Sequence, residues 1–399
     1  MRISTNTIYE LGVTSMQQQA SAMAKAQQQI STGRRILTPE DDPVAAARVL
    51  EVSQAKSLNQ QYDVNANSAT SALGLEEAIL GGVTNLLQDV HTTAVTARGP
   101  LLDHTSLSGL AAGLRGRYEE LLGLANSTDG NGQYMFSGFK GSIQPFSQTS
   151  PGDVKYIGDQ GQRLIQISPT RQMAVSDSGS DIFMQIKNGN GSFVTAATPG
   201  NTGTGLVSAG SALTAYDGNN YQISFTSGTT YDINQVDAGG AIIATPVSGA
   251  TYTSGSAIAV GGGEFAITGA PAGGDTFTVK PSTNENLFTT LNNLITALEK
   301  NPVNKTELQN SLTNALSSLD NGLAQVLTVR VSVGTRMQEV EAVKFTGQDI
   351  GLQYDQTLST LQDLDYTKAI TDLTRYQVGL EAAQKSFQKT QGMSLFNYI

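Results

Sequence analysis

Apolar positions at both ends of the chain recur in alternating steps of four and three. Tyr9, Val13, Met16, Ala20, Met23, Gln27 and Ile30 make one such stripe, and Ala369, Leu373, Tyr376, Leu380, Ala383 and Phe387 make another. That spacing keeps one face of an α-helix turned toward a partner, so both ends predict coiled-coil helices. The first stripe stops at Ser31-Thr32-Gly33, with glycine where a helix C-terminus favours it. In the following TPEDDPVAAARVL, Asp42 is placed to cap a second helix and Pro43 suits its first position. This helix extends to about Arg98, where Gly99-Pro100 ends it, with Gly81-Gly82 a local weakness. Leu107, Leu110, Leu114, Leu121 and Leu124 mark a third helix ending near Asn126. Helix returns from about Asn284 with Leu287, Leu291, Leu294 and Leu298, then breaks at Asn301-Pro302. It resumes from Leu308 to Val326, and the longest helix is expected between Thr335 and Gln391.

The middle of the chain follows another pattern. Residues 130–280 hold 26 of the 42 glycines, and apolar residues alternate in short runs such as Tyr221, Ile223, Phe225 and Phe265, Ile267. Period-two patterning between Gly, Asn, Asp and Ser clusters predicts antiparallel strands and hairpins. The expected fold is α+β: an elongated bundle of N- and C-terminal coiled-coil helices with an inserted all-β, Gly/Ser/Thr-rich domain. Its expected divisions are 1–41 with 365–399 as a terminal assembly layer, 42–134 with 283–364 as a helical rod, 135–194 as a β domain, and 195–282 as a second β module or an extension of the first. The simplest packing pairs the N-terminal helices with the C-terminal ones and brings the chain ends together.

Composition narrows the chemistry. Lys+Arg 24 against Asp+Glu 34 gives a net charge of −10 with no basic patch, which argues against a nucleic-acid partner. There is no cysteine, so disulfides, zinc ribbons and thiol catalysis are excluded, and only His91 and His104 are available for acid–base work near neutral pH. No apolar run approaches the ~20 residues needed to span a bilayer, so no membrane insertion is expected. The N-terminus also lacks a cleavable signal pattern. Phosphate-loop, nucleophile-elbow, zinc-helix and EF-hand patterns are absent from the sequence. The adjacent carboxylates Asp41/Asp42, Glu76/Glu77 and Glu119/Glu120 point about 100° apart on a helix and do not converge. The first pair is read as capping and the other two as a solvated face. Asp177 and Asp181 are read as part of a turn, as are the glycines at 189–191 and 261–263. No enzyme activity, cofactor or metal is expected.

The ends themselves remain. Between Ile8 and Gly33 the only charged side chains are Glu10 and Lys25, and the positions off the stripe are mostly Gln, Ser, Thr and Ala. A solvated surface helix normally carries more charge. A neutral helix at a chain end fits burial among subunits, with both ends ordering on assembly. The alternative is a self-contained bundle whose heptads bury an ordinary core. Under the assembly reading, the interface is Ile8, Val13, Met16, Met23 and Ile30 packed with Ala369, Leu373, Tyr376, Leu380, Ala383 and Phe387.

These segments carry a resemblance. ISTNTIYELGVTSMQQQ, QQQISTGRRILTPEDDPVAAARVL and the C-terminal DYTKAITDLTRYQVGLEAAQKSFQKTQGMSLFNYI resemble the ends of the bacterial flagellin superfamily. Pro43 after the acidic pair, QYMFSGFKGSIQPF after the third helix and the MSLFNYI tail resemble its hook-associated, junction-forming branch more than filament flagellin. The resemblance implies a structural protein exported by the flagellar type III apparatus without signal cleavage and located outside the cell, in the flagellum. It implies self-assembly into a ring between hook and filament, with the first hook-associated protein and flagellin as neighbours. It also implies a cytoplasmic export chaperone on the C-terminal helix. A filament flagellin or flagellin-like surface adhesin is the alternative.

Overall fold

A computed structural model describes residues 5–99, 102–150 and 152–392. The protein is α+β. Helices α1 (Thr5–Thr32), α2 (Pro43–Ala97) and α3 (His104–Ala125) precede a set of antiparallel strands between residues 146 and 285, and α4 (Leu287–Glu299), α5 (Lys305–Gln362) and α6 (Tyr366–Gly392) follow them. Pro100 and the MSLFNYI tail lie outside the described residues, as does the side chain of Ile8.

Short polar side chains start the helices. Asp42 Oδ1 accepts from Ala45 N at 3.0 Å at the head of α2, and Asp103 Oδ1 from Ser106 N at 2.9 Å at the head of α3. Asn286 Oδ1 accepts from Thr289 N at 2.7 Å before α4, and Asp365 Oδ1 from Lys368 N at 3.1 Å before α6. Each satisfies an amide that has no intrahelical partner. The glycines at 81 and 82 do not break α2, because Gly82 faces the Leu124 side chain of α3. The C-terminal helices divide differently from the sequence reading. Residues 305–362 form a single helix, and the break falls at 363–365 instead of between Val326 and Thr335. The break is held from a distance: Arg35 N donates to Gln362 O at 2.7 Å and Leu364 N to Gly33 O at 3.0 Å.

The chain separates into two compact units, residues 1–64 with 343–399, and residues 65–342. The sequence reading placed its divisions at 41/42 and 364/365, and the boundary between units falls within α2 and α5. In the second unit, strands between 146 and 187 come only in pairs: 146–150 with 153–156, 164–168 with 171–174, and 186–187 with 284–285. Two-stranded ribbons cannot bury a core of their own. They instead join the helices through an aromatic cluster, in which Phe146 lies 5.4 Å from Phe183 and 5.5 Å from Phe288, and Phe288 lies 6.0 Å from Tyr118 on α3.

Residues 193–281 are organised around a separate core. A five-stranded antiparallel sheet has the order 242–251, 230–236, 220–227, 276–281, 193–197. It shares buried Phe193, Ile223, Phe225, Phe277 and Val279 with Phe265 and Ile267 of a smaller sheet. Gly261 and Gly262, at φ 58° and 85°, turn the chain between strands 257–260 and 263–268, where a side chain would be strained. The first and last strands lie side by side, and Ser282 N donates to Ser192 O at 3.0 Å, so the module begins and ends at one point. Buried Asp275 clasps its loops through Thr202 N (2.7 Å), Gly203 N (3.0 Å) and Ala272 N (2.8 Å). On α5, Asn310 accepts from Val207 N at 2.9 Å and donates to Gly205 O at 3.1 Å, supplying the bonds of an absent neighbouring strand.

Glu76 does not belong to a solvated face; it is wholly buried. Glu119 and Glu120 are exposed, as read. His104 opens α3, and His91 Nε2 lies 3.4 Å from Asp320.

Candidate assembly interface

In the unit formed by 1–64 and 343–399, α1 and α6 pair antiparallel. The Tyr9 and Phe387 rings meet edge to face, centroids 5.0 Å apart, and Phe387 also lies over Gly12, where a Cβ would stand 2.9 Å from its Cδ2. Further along, Gln19 approaches Gly379, and at the other end Gly33 meets the Tyr366 hydroxyl. Ala369, Leu373, Tyr376, Leu380, Ala383 and Phe387 are all buried or half-buried in this arrangement. Across the seam, α1 is rotated relative to its stripe of large residues. Met16, Met23 and Ile30 are half-buried, but Val13 is exposed, and Gly12, Gln19 and Ala26 are drawn inward in place of Val13, Ala20 and Gln27. Small residues at 12 and 26 let α6 approach the α1 backbone, an advantage that a reading by hydrophobicity misses. A search for small residues seven or fourteen apart would have found them.

The connection from α1 to α2 is tied down by charge. Asp41 Oδ2 accepts from Leu37 N at 2.8 Å and Thr38 N at 3.1 Å, and the carboxylate pairs with Lys25. The Lys25 bond, followed by the two amides, lowers its pKa to about 2. Asp42 is also held below its ordinary value, first by the Ala45 amide and also by Arg35, which in turn donates to Leu361 O at 3.0 Å. Pro43 begins α2 directly after the Asp42 cap. These bonds fasten the 33–42 loop of the N-terminal segment to the end of α5. Between the long helices, Lys56 pairs with Asp355, and Asn59 donates to Gly347 O at 2.7 Å.

What this unit lacks is a core. Among its described residues, the buried apolar side chains are Ala26, Ala45, Val52 and Ala369. Among the described residues it nevertheless holds 13 of the 24 exposed large apolar side chains, although it is the smaller of the two units. Leu11 (63% exposed) and Val13 lie outside the seam on α1, Ile370 and Val378 (61%) on α6, Leu50 and Leu58 on α2, and Phe345 and Leu352 on α5. A finished surface rarely carries so much apolar side chain over so little interior. Among the described residues no helix is long and apolar enough to cross a membrane, and no group of three potential metal ligands occurs. The chemistry these outward faces offer is apolar burial.

Comparison with known proteins bears on the partner. Residues 3–140 match the family model of the bacterial flagellin N-terminal helical region. Flagellar hook-associated protein 3 of Salmonella typhimurium is 28% identical over 99% of both chains. The crystal structure of flagellar hook-associated protein-3 from Legionella pneumophila superposes with a TM-score of 0.72 at 31% identity, covering 78% of this chain and 98% of that one. The chain belongs to the flagellar hook-associated protein 3 family. Phase 2 flagellin of Salmonella typhimurium is similar over a shorter stretch, 25% identical over 63% of this chain and 53% of its own. As a member of the hook-associated protein 3 family, the chain is a structural component of the bacterial flagellum, at the hook–filament junction, and its relatives are structural proteins.

Proposed function

We propose that this chain builds the junction as a ring of copies whose α1, α2, α5 and α6 bury their outward apolar positions against neighbouring subunits. The observation that carries this reading is the scarcity of buried apolar side chains among the described residues of the unit formed by the two chain ends, set against its excess of exposed ones. In this reading the α1–α6 seam is made within each subunit, and the contacts between subunits use the faces turned away from it. One side of the ring meets the first hook-associated protein and the other meets flagellin, so the ring adapts one helical lattice to the next. The chain is exported without signal cleavage to a place outside the cell, and α6 is the segment a cytoplasmic chaperone holds beforehand.

The test separates assembly from folding. Replacing Leu11 and Val378 with Asp alters exposed positions, so thermal melting of the purified chain stays unchanged while cells lose swimming and release flagellin into the medium. Normal swimming with flagellin retained overturns the proposal. If the purified protein instead polymerises alone into long filaments, the filament-flagellin reading replaces it.

A further inference from the structure

Glu76 stands on α2 within the 65–342 unit, fully buried and unconnected with the seam of the terminal helices. Its Oε1 accepts from the Asp177 backbone N–H at 3.0 Å, while the buried Oε2 meets no donor among the described residues. Charged groups reach it from each side of the packing. From the 175–178 segment, the Asp177 carboxylate brings a second negative charge to bear on it. From α5, Arg336 pairs with Asp177 Oδ2 and donates to Ala174 O at 3.0 Å. Asp177 Oδ1 is taken by Gln162 at 2.8 Å. On α2 itself, Glu77 is turned to Arg330, which bonds it at 2.6 Å and also reaches the Thr84 hydroxyl. Two carboxyl groups therefore share one guanidinium, which is committed to Asp177.

An ionised Glu76 would leave a bare oxygen buried beside a second negative charge, an expensive arrangement. Two carboxyl groups can hydrogen-bond to one another only if one keeps its proton. Burial first, and the Asp177 charge second, push the Glu76 pKa up to about 7, with Arg336 opposing.

We propose that Glu76 is a proton-operated latch: as a neutral acid it donates to Asp177 and holds the 175–178 segment, with the strand pairs attached to it, onto α2 and α5, and loss of that proton loosens the attachment. The sign follows from linkage. The folded chain keeps a proton that the unfolded chain releases near its ordinary value of 4.5, so stability is greatest below that value, declines as pH rises to about 7, and is level above it.

The experiment is amide exchange on the full chain at pH 5.5 and 8.5, corrected for the intrinsic pH dependence of exchange, with strands 220–236 as the internal reference. Peptides covering 171–185 are expected to lose roughly tenfold or more in protection at the higher pH, the equivalent of one pKa unit, while the reference holds. In Glu76→Gln, which donates to Asp177 without a charge, the difference should vanish and protection at pH 8.5 should be retained. Asp177→Asn, which removes the neighbouring charge and frees Arg336 for Glu76, should move the transition to lower pH. Protection of 171–185 that is independent of pH in the natural chain overturns the latch. So does a Glu76→Gln chain that follows it, or an unmoved midpoint in Asp177→Asn.

Discussion

Replacing Phe387 with Ala tests whether the α1–α6 seam exists in a single chain. The ring lies over Gly12 and meets Tyr9 edge to face at 5.0 Å. A fully buried Phe→Ala change costs about 3–5 kcal/mol. Phe387 is only half-buried, so the burial loss is about half of that, and an edge-to-face pair adds about 0.5–1.5 kcal/mol when both rings are well covered. With Tyr9 itself partly exposed, the sum is about 2 kcal/mol, or roughly a 30-fold rise in the local opening constant. Amide exchange of the purified chain reads this directly. Peptides from residues 5–32 should exchange roughly 30-fold faster in the variant, while strands 220–236 are unaffected. Unchanged exchange in 5–32 refutes the seam. Exchange in the natural chain as fast as that of an unstructured peptide refutes it as well, because it would mean that the ends order only on assembly.

Other consequences follow from the same structure. Excising 193–281 and joining Ser192 to Ser282 by a short linker, with Asn310→Ser to avoid stranding its amide, should leave helix content and swimming intact; a folded variant that cannot swim would make the module part of the junction. Gly322→Ala places a methyl on Leu287 Cδ2. The overpacking cost of about 1–3 kcal/mol outweighs the helix-propensity gain of about 1 kcal/mol, so urea denaturation should show a net loss, and a gain would contradict the packing. Asp41, with a folded pKa of about 2 against 3.8 unfolded, gives stability that is complete above 3.8 and is lost as pH falls toward 2. Protection of the 33–42 loop should fall across that window in the natural chain and should be independent of it in Asp41→Asn.

Much of the architecture was legible because it is local. The heptad spacing of Ala369 to Phe387, the Asp42–Pro43 start of α2 and the alternation around Tyr221–Phe225 each follow from a few neighbouring residues, so periodicity and capping recovered the N-terminal helices, the antiparallel middle and the order of elements, while the C-terminal helices were divided in the wrong place. The likeness of both ends to the flagellin superfamily rested on those same segments. Tertiary structure decided what a distant partner controls. The α1 face was turned to Gly12 and Ala26 because α6 packs closest on small residues. The break at 363–365 depends on the backbone of Gly33 and Arg35, more than three hundred residues away. Glu76 became a buried acid because the 175–178 segment and α5 close over it, whereas its own neighbours in sequence read as a solvated face. The shortage of buried apolar side chains at the chain ends was equally invisible, since a heptad stripe announces that a helix will be covered and leaves open how much of it a single subunit can cover.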